Sequence, residues 1–364
     1  MFPKILIIGS TGKLGQKLLN LTNKHKILID TVTGYSNSKK LIKIKNKYNV
    51  HNSFLLSENS QKTNFIKFLQ LNKFNIIYFL DFGSESLEYL DIYLKFHSKT
   101  YIAIANKELL IAGGHYLTSK LNKSNNYLIP LDSEHFSLTN LILNNSDVHK
   151  IFITASGGPF YFKKNLSLGD VSKNEVLSHP KWVMGKNNLI DSSNFINKIL
   201  ELFELSFIYS ININKINFVI SPEAFIHSFV IYKNGLISIN CFKNDMLITL
   251  ADPLRKYFEL PSYIPKLNQF DQKLFYFEEY KDERFELLKK IKTIKKFTHY
   301  QLLQFMLLNN LAQDLYLQNK LKYIDIPNYI FKRIDFKKNK FKMDSIQKIL
   351  QRIKFIKNAI QVNN

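Results

Sequence analysis

The chain contains 364 residues, 45% of them hydrophobic, which excludes a disordered protein and predicts two or three folded domains. No stretch approaches 18 consecutive apolar residues, so no membrane span is expected, and the single cysteine excludes internal disulfides. That residue, Cys241, is expected to be small and buried. The formal net charge of +22 comes from scattered lysines that accompany abundant Asn, Ile, Phe and Tyr, so we attribute most of it to the codon usage of an AT-rich genome. Part of the charge could attract an anionic, phosphorylated small-molecule substrate, and we expect no nucleic-acid partner.

The N-terminal part alternates buried strands with helical stretches, a pattern typical of a parallel, doubly wound sheet. The candidate strands are 5–8, 27–33, 76–80, 101–105 and 127–130. The first begins almost at the N-terminus and leaves no room for a targeting segment, so a cytoplasmic protein is expected. A second group of candidate strands follows at 149–154, 218–220, 227–232 and 236–239.

The predicted fold class is therefore α/β, with a second, smaller sheet and a helical C-terminal region. We expect a Rossmann-like doubly wound domain at 1–130, an α/β catalytic domain with the second sheet at 131–260, a connector at 261–280 and a helical bundle at 281–364.

The first strand leads into GSTGKLG at 9–15, a variant of the dinucleotide-binding fingerprint. Its glycines permit a tight turn and the close approach of a pyrophosphate to a helix N-terminus, although a purely structural turn is the alternative. The second strand ends at Gly34, and Tyr35 and Ser36 follow where NAD-binding proteins have a carboxylate. Since Lys39 and Lys40 come next, the sequence favours NADP over NAD.

Two polar groups follow later strands of this domain. The motif ANKE at 105–108 directly follows a predicted strand, where it could contact a ligand or merely cap a helix. Asp132 and Glu134 stand two residues apart, so in an extended segment they would face the same way. Paired carboxylates favour a cation between them, and oxygen ligands suit Mg²⁺ or Mn²⁺. Glu201 could supply a third ligand.

Three further motifs lie in the middle of the chain. ASGGPF at 155–160 could form an anion-binding turn or an ordinary tight turn. HPKWVMG at 179–185 suits a lid that closes over a ligand, with a buried tryptophan as the alternative. The segment 191–201 is predicted to be one amphipathic helix with Asp191 or Ser192 as N-cap. Its polar stripe could bind phosphate and metal or could simply be solvated; it comprises Asn194, Asn197, Lys198 and Glu201.

Taken in order over roughly residues 1–330, these motifs resemble the 1-deoxy-D-xylulose 5-phosphate reductoisomerase family. The resemblance implies NADPH- and divalent-metal-dependent rearrangement and reduction of 1-deoxy-D-xylulose 5-phosphate to 2-C-methyl-D-erythritol 4-phosphate, in a homodimer. The cofactor residues it implies are Thr11, Gly12, Lys13, Leu14, Gly34, Asn106, Glu108 and Gly185. The implied metal ligands are Asp132, Glu134 and Glu201. The implied substrate-binding residues are Lys107, Ser133, Ser156, His179, Trp182, Ser192, Asn197, Lys198 and Glu201. Of all these residues, Lys107, Glu134 and His179 are the candidate catalytic ones.

The sequence departs from the family at a few positions. Tyr35 and Ser36 stand where the family usually has a basic residue, and Ser221 replaces a family histidine. Two other classes of function remain open at this point. A metal-free NADPH dehydrogenase of a phosphorylated aldehyde would leave the carboxylate trio without a role. A nucleic-acid-binding protein would need a basic face with stacking aromatics.

Overall fold

The computed structural model describes residues 3–142, 144–179, 184–260, 275–337 and 344–362. Contacts within the chain define two compact units. The first holds the described residues of Met1–Phe136 and Asp245–Leu267, and the second holds those of Ser137–Asn244 and Asn268–Asn364. In the described ranges, no helix combines the length and the apolar character that a membrane crossing requires.

Ten strands and fourteen α-helices lie in the described part of the chain. The strands are β1 (Ile5–Ile8), β2 (Thr31–Gly34), β3 (Asn52–Leu55), β4 (Ile76–Phe79), β5 (Tyr101–Ile104), β6 (Tyr127–Pro130), β7 (Val148–Ala155), β8 (Ile216–Ile220), β9 (Ile226–Tyr232) and β10 (Ile237–Cys241). The helices are α1 (Lys13–Lys24), α2 (Ser38–Lys47), α3 (Asn59–Leu71), α4 (Ser86–Phe96), α5 (Lys107–Lys123), α6 (Ser133–Phe136), α7 (Lys173–Val176), α8 (Lys186–Ser193), α9 (Ile196–Tyr209), α10 (Met246–Arg255), α11 (Glu286–Ile294), α12 (His299–Leu317), α13 (Ile326–Phe331) and α14 (Ile346–Val362).

The first unit is built on a six-stranded parallel sheet with the order β3-β2-β1-β4-β5-β6. The central strands β1, β2 and β4 are buried along their whole length, as expected for a sheet covered by helices on both faces. The order reverses between β1 and β4, and in open α/β sheets this switch point, at the carboxyl ends of the strands, is where ligands bind. The predicted Rossmann-like arrangement is confirmed.

The second unit has a mixed four-stranded sheet with the order β10-β9-β7-β8. β7 pairs in parallel with β8 and antiparallel with β9. α9 contributes Leu202 and Leu205 to a buried cluster with Ile151, Ile153 and Val230 of the sheet. The C-terminal helices α11 to α14 also belong to this unit, which confirms a second sheet and a helical C-terminal region.

The prediction of one helix over 191–201 is wrong. α8 ends at Ser193 and α9 starts at Ile196, with Phe195 between them in the left-handed region at φ 69°. Two contacts explain the break. The side chain of Asn194 accepts the N–H of Ile196 over 3.0 Å, and the buried ring of Phe195 lies 4.9 Å from that of Phe285, between ring centroids. Ser192 therefore lies in the last turn of α8 and caps no helix start.

The expected burial of Cys241 is also wrong, because the residue is exposed at the end of β10. β10 is an edge strand of the described sheet, and its pairing with β9 shifts register next to Cys241. A residue at such an edge has no neighbouring strand to cover it.

Candidate active site

The turn after β1 has the geometry of a phosphate-binding loop. Gly9 adopts φ +88°, and a Cβ there would lie 2.5 Å from the main-chain nitrogen of Asp81. A Cβ on Gly15 would lie 2.6 Å from the carbonyl oxygen of Gly9, so neither position tolerates a side chain. Gly12 is the N-cap of α1 without a side-chain cap, and the first turn contains no acidic residue. The N-terminus of α1, where Lys13 and Leu14 begin the helix, therefore favours an anion.

The end of β2 lies beside this turn. A Cβ on Gly34 would lie 3.0 Å from the methyl group of Thr11, so the backbone at Gly34 packs against that side chain. Tyr35 and Ser36 are exposed, and α2 starts two residues later with Asn37 accepting the N–H of Lys40 over 2.9 Å. This surface offers hydroxyls, a helix N-terminus and lysines, and carries no carboxylate at 34–40.

Asn106 caps α5, as the structural alternative for the ANKE motif anticipated. Its side-chain oxygen accepts the N–H of Leu109 over 2.9 Å, and its amide nitrogen donates to Gly83 over 2.9 Å and to Asp81 over 3.1 Å. Burial raises the pKa of Asp81 to about 6, against the opposing effect of its hydrogen bonds. Asn106 and the neighbouring Glu108 are both buried.

The carboxylates of Asp132 and Glu134 lie on a helical turn, so the predicted extended segment is wrong. Asp132 precedes α6, and its Oδ1 accepts the N–H of Glu134 over 3.1 Å, which closes the turn. Lys107 Nζ donates to the other carboxylate oxygen of Asp132 over 2.7 Å. Ser133 Oγ donates to Glu134 over 2.5 Å. The first unit thus gathers an ammonium, a hydroxyl and two carboxylates at one sheet edge.

A second polar cluster forms within the second unit, around the turn after β7. Gly157 and Gly158 both have positive φ, at 88° and 68°, and Ser156 Oγ lies 3.3 Å from His179 Nε2. A Cβ on Gly158 would lie 3.0 Å from the carbonyl oxygen of Ser192. The end of α8 therefore packs directly on the glycine turn, which brings Ser156, His179 and Ser192 into one region.

The start of α9 adds charge to this cluster. Lys198 is only 9% exposed, and its ammonium donates to Glu201 Oε2 over 2.8 Å. The side-chain amide of Asn197 donates to the other oxygen of the same carboxylate. Partly buried hydroxyls, an amide and a buried ammonium beside a turn of small residues suit a phosphate group. We call Ser156, His179, Ser192, Asn197 and Lys198 the phosphate cluster.

The predicted lid is only partly described. Trp182 lies outside the described residues, as do its neighbours at 180–183. Gly185 is the N-cap of α8 and is exposed, with no atom within 4 Å of a Cβ built there.

The pKa of His179 is lowered to about 4, first because the ring is buried and second because Lys198 is positively charged. We expect a neutral imidazole above about pH 5. Between the ordinary pKa of 6.5 and about 4, the unfolded chain takes up a proton that the folded protein does not, so stability should fall as the pH falls through this window.

An NMR titration checks this, with His179→Gln used to assign the signal. Lys198→Met should raise the His179 pKa, since it removes the nearby charge. A wild-type midpoint near 6.5 would show that the ring is neither buried nor close to Lys198.

Known proteins share both the sequence and the fold. A sequence model of the 1-deoxy-D-xylulose 5-phosphate reductoisomerase C-terminal domain matches residues 128–209. The chain is 34% identical over 368 residues to 1-deoxy-D-xylulose 5-phosphate reductoisomerase of Pelagibacter ubique, with 93% of each chain covered. This chain belongs to that family. It is also 30% identical to the reductoisomerase of Clostridium kluyveri, over 89% of each chain.

Solved structures of reductoisomerases have the same fold. A crystal structure of DOX-P reductoisomerase in complex with NADPH, fosmidomycin and magnesium matches 99% of this chain and 98% of that one, with a TM-score of 0.87 and 22% identity. The Zymomonas mobilis reductoisomerase in complex with NADPH matches 98% of each chain, with a TM-score of 0.82 and 22% identity.

Some polar residues of the two units escaped the sequence analysis. Asp81 follows β4 at the switch edge, and its position after a strand was the available signal. Asn309 and Gln313 of α12 contact α8, but no local pattern links positions so far apart in sequence.

Proposed function

We propose that this chain converts 1-deoxy-D-xylulose 5-phosphate to 2-C-methyl-D-erythritol 4-phosphate with NADPH and a divalent cation. The observation that carries the proposal is the phosphate cluster, in which the turn after β7, the segment after α7 and the helices α8 and α9 contribute residues around a buried ammonium. Family membership supports the reaction type. The related structures with bound NADPH and magnesium support the choice of cofactors.

The glycine turn fits a dinucleotide. Gly9 and Gly15 pack directly on main-chain atoms, so the turn stays tight and its N–H groups at the start of α1 are left clear of bulky side chains at these positions. The residues that would hold NADPH are Thr11, Gly12, Lys13, Leu14, Gly34, Asn106, Glu108 and Gly185. NADPH supplies the hydride that reduces an aldehyde to an alcohol.

The carboxylates fit a hard divalent cation. Asp132, Glu134 and Glu201 are the candidate ligands, and an all-oxygen donor set suits Mg²⁺ or Mn²⁺ better than Zn²⁺. Two of the three, Asp132 and Glu201, are each paired with a lysine of their own unit, which offsets their charge. The cation supplies a Lewis acid for the oxygens of the reacting ketone and hydroxyl.

The chain's own groups then have separate tasks. The phosphate cluster binds the substrate phosphate, and His179, held neutral, donates or accepts a hydrogen bond without adding charge. Lys107 lies where its ammonium can stabilise negative charge on a substrate oxygen. The hydroxyl of Ser133 links the substrate to the carboxylate of Glu134, which can accept a proton. Binding energy from the distant phosphate helps orient the reacting carbons.

The test is NADPH oxidation with 1-deoxy-D-xylulose 5-phosphate, with and without Mn²⁺. We expect turnover with the metal and its loss in EDTA. Turnover that persists in EDTA would support the metal-free dehydrogenase.

We predict a strong preference for NADPH over NADH, because positions 34–40 carry lysines and hydroxyls and no carboxylate. Ser36→Asp should weaken NADPH binding by roughly fivefold to tenfold, since one exposed charge repels the 2′-phosphate with about 1 kcal/mol. NADH binding should change little. Equal wild-type rates with NADH and NADPH would show that the protein has no preference for NADPH.

We propose that the protein is a cytoplasmic homodimer that pairs through β10. This edge strand of the described sheet exposes Ile237 and Ile239, which are 53% and 44% accessible. Exposed apolar side chains on an edge strand favour pairing with a second copy across a two-fold axis. Light scattering should give twice 42.8 kDa, and Ile237→Lys with Ile239→Lys should give monomers. A stable wild-type monomer at micromolar concentration would contradict the dimer.

A further inference from the structure

A buried polar contact joins α8 to α12 and has no part in the site described above. Asn309 and Gln313 stand one turn apart on α12 and are 1% and 0% exposed. Their amide nitrogens both donate to Oδ1 of Asp191, over 2.9 Å and 2.5 Å. Gln313 also donates to the main-chain oxygen of Asn187, over 3.3 Å. The two amides thus hold α8 near its start and near its end.

This contact is not what stability alone would favour. The side-chain oxygens of Asn309 and Gln313 are buried and have no hydrogen-bond partner among the described residues. A buried amide oxygen without a partner costs free energy, whereas apolar side chains at all three positions, Asp191, Asn309 and Gln313, would pack without that cost. Since most of α12 buries apolar residues, two amides at this contact require another explanation.

Asp191 is followed directly by a residue of the phosphate cluster. Ser192 is the next residue of α8, and its carbonyl lies close to Gly158 in the glycine turn. A shift of α8 would therefore move Ser192 relative to Ser156 and the rest of the phosphate cluster. Because Asp191 receives two hydrogen bonds from α12, this part of α8 has one fixed position.

We propose that Asn309 and Gln313 are positioning residues that act through Asp191 to hold Ser192 in place for the substrate phosphate. The proposal rests on the proposed function, in which Ser192 binds that phosphate. Asn309 and Gln313 are not among the residues proposed to bind substrate or cofactor.

The experiment replaces both amides with apolar side chains, Asn309→Leu and Gln313→Met. The KM for 1-deoxy-D-xylulose 5-phosphate and the inhibition constant of inorganic phosphate should rise together by roughly tenfold, the loss expected for a misplaced hydrogen bond to an anion. The KM for NADPH should stay within about twofold of wild type. The melting temperature should fall modestly, because the buried carboxylate of Asp191 loses two hydrogen-bond donors, so each variant is first checked for a folded state by circular dichroism.

Gln304→Met is the matched control. Gln304 is a buried amide on the same helix, 8% exposed, but its oxygen accepts the N–H of Asp335 over 3.2 Å and not a group of α8. This variant should bind inorganic phosphate as wild type does. An equal effect in Gln304→Met, or unchanged phosphate inhibition in the folded double variant, would overturn the proposal.

Two further measurements apply if the double variant does not fold or if the wild-type protein is inactive. If the double variant does not fold, Asn309→Leu and Gln313→Met are measured singly by the same criteria, since each keeps one amide on Asp191. If wild-type protein does not turn over the sugar phosphate at all, the proposed function fails. Calorimetry of inorganic phosphate binding to the same variants then still decides whether the two amides position the anion site.

Discussion

Glu201→Gln is expected to lose metal-dependent turnover by a factor on the order of 1,000, because a cation that stabilises developing charge contributes several kcal/mol. Glu201 is 1% exposed, and its carboxylate is held by Lys198 and Asn197 at the start of α9. The amide keeps the shape of the side chain but removes the charge that favours a divalent cation.

The measurements are NADPH oxidation over a range of Mn²⁺ concentrations and direct Mn²⁺ binding by electron paramagnetic resonance. NADPH binding, followed by fluorescence, should stay near wild type, since the glycine turn lies in the other unit. Glu204→Gln is the control, because Glu204 is an equally buried carboxylate on the same helix. Wild-type activity of Glu201→Gln at limiting metal would show that Glu201 is not a ligand.

Lys198→Ala is expected to weaken binding of the sugar phosphate by roughly 10- to 150-fold, the cost of a lost charge-assisted hydrogen bond to a buried anion. The ammonium is nearly buried and lies close enough to His179 to lower its pKa, so its charge acts with little solvent screening. Asn197→Ala should also weaken binding of the sugar phosphate, but by a smaller factor, because the amide is neutral.

The measurement is the inhibition constant of inorganic phosphate, together with KM for the sugar phosphate. Lys215→Ala is the control, since Lys215 donates to the main-chain oxygen of Val148 in a different part of the unit. Mn²⁺ binding should change much less than phosphate binding in Lys198→Ala. Unchanged phosphate inhibition in a folded variant would assign Lys198 a structural role.

The sheet of the first unit was predictable because its strands are short apolar runs separated by helical stretches. β1, with Ile, Leu, Ile and Ile all buried, shows the pattern of a strand covered on both faces. β3 was missed for the converse reason. Its sequence, Asn52 to Leu55, is half polar and mostly only partly buried, as befits the edge of the sheet.

The break between α8 and α9 could not be read from periodicity. Helical spacing of apolar residues continues through Phe195, but its ring packs against Phe218, Tyr280 and Phe285, which come from distant parts of the chain. Tertiary packing therefore overrides the local preference for helix. Three residues of the predicted polar stripe, Asn197, Lys198 and Glu201, share one side of α9, whereas Asn194 lies at the end of α8.

At Asp132, too, the spacing of residues in the sequence did not predict the backbone conformation. A spacing of two residues suggested an extended segment, whereas the Asp132 side chain accepts the N–H of Glu134 and starts a helical turn. The residue types pointed to the metal chemistry, and the backbone conformation depended on a local hydrogen bond. The contact of Asn309 with Asp191 spans 118 residues, beyond any local pattern.

The most direct test of the account is the structure of the product formed from 1-deoxy-D-xylulose 5-phosphate, NADPH and Mn²⁺. Carbon NMR of the reaction mixture distinguishes a rearranged, branched skeleton from a straight one. We predict 2-C-methyl-D-erythritol 4-phosphate, formed in equal amount to the NADPH consumed. A straight-chain reduced sugar phosphate, or NADPH oxidation without a branched product, would contradict the account.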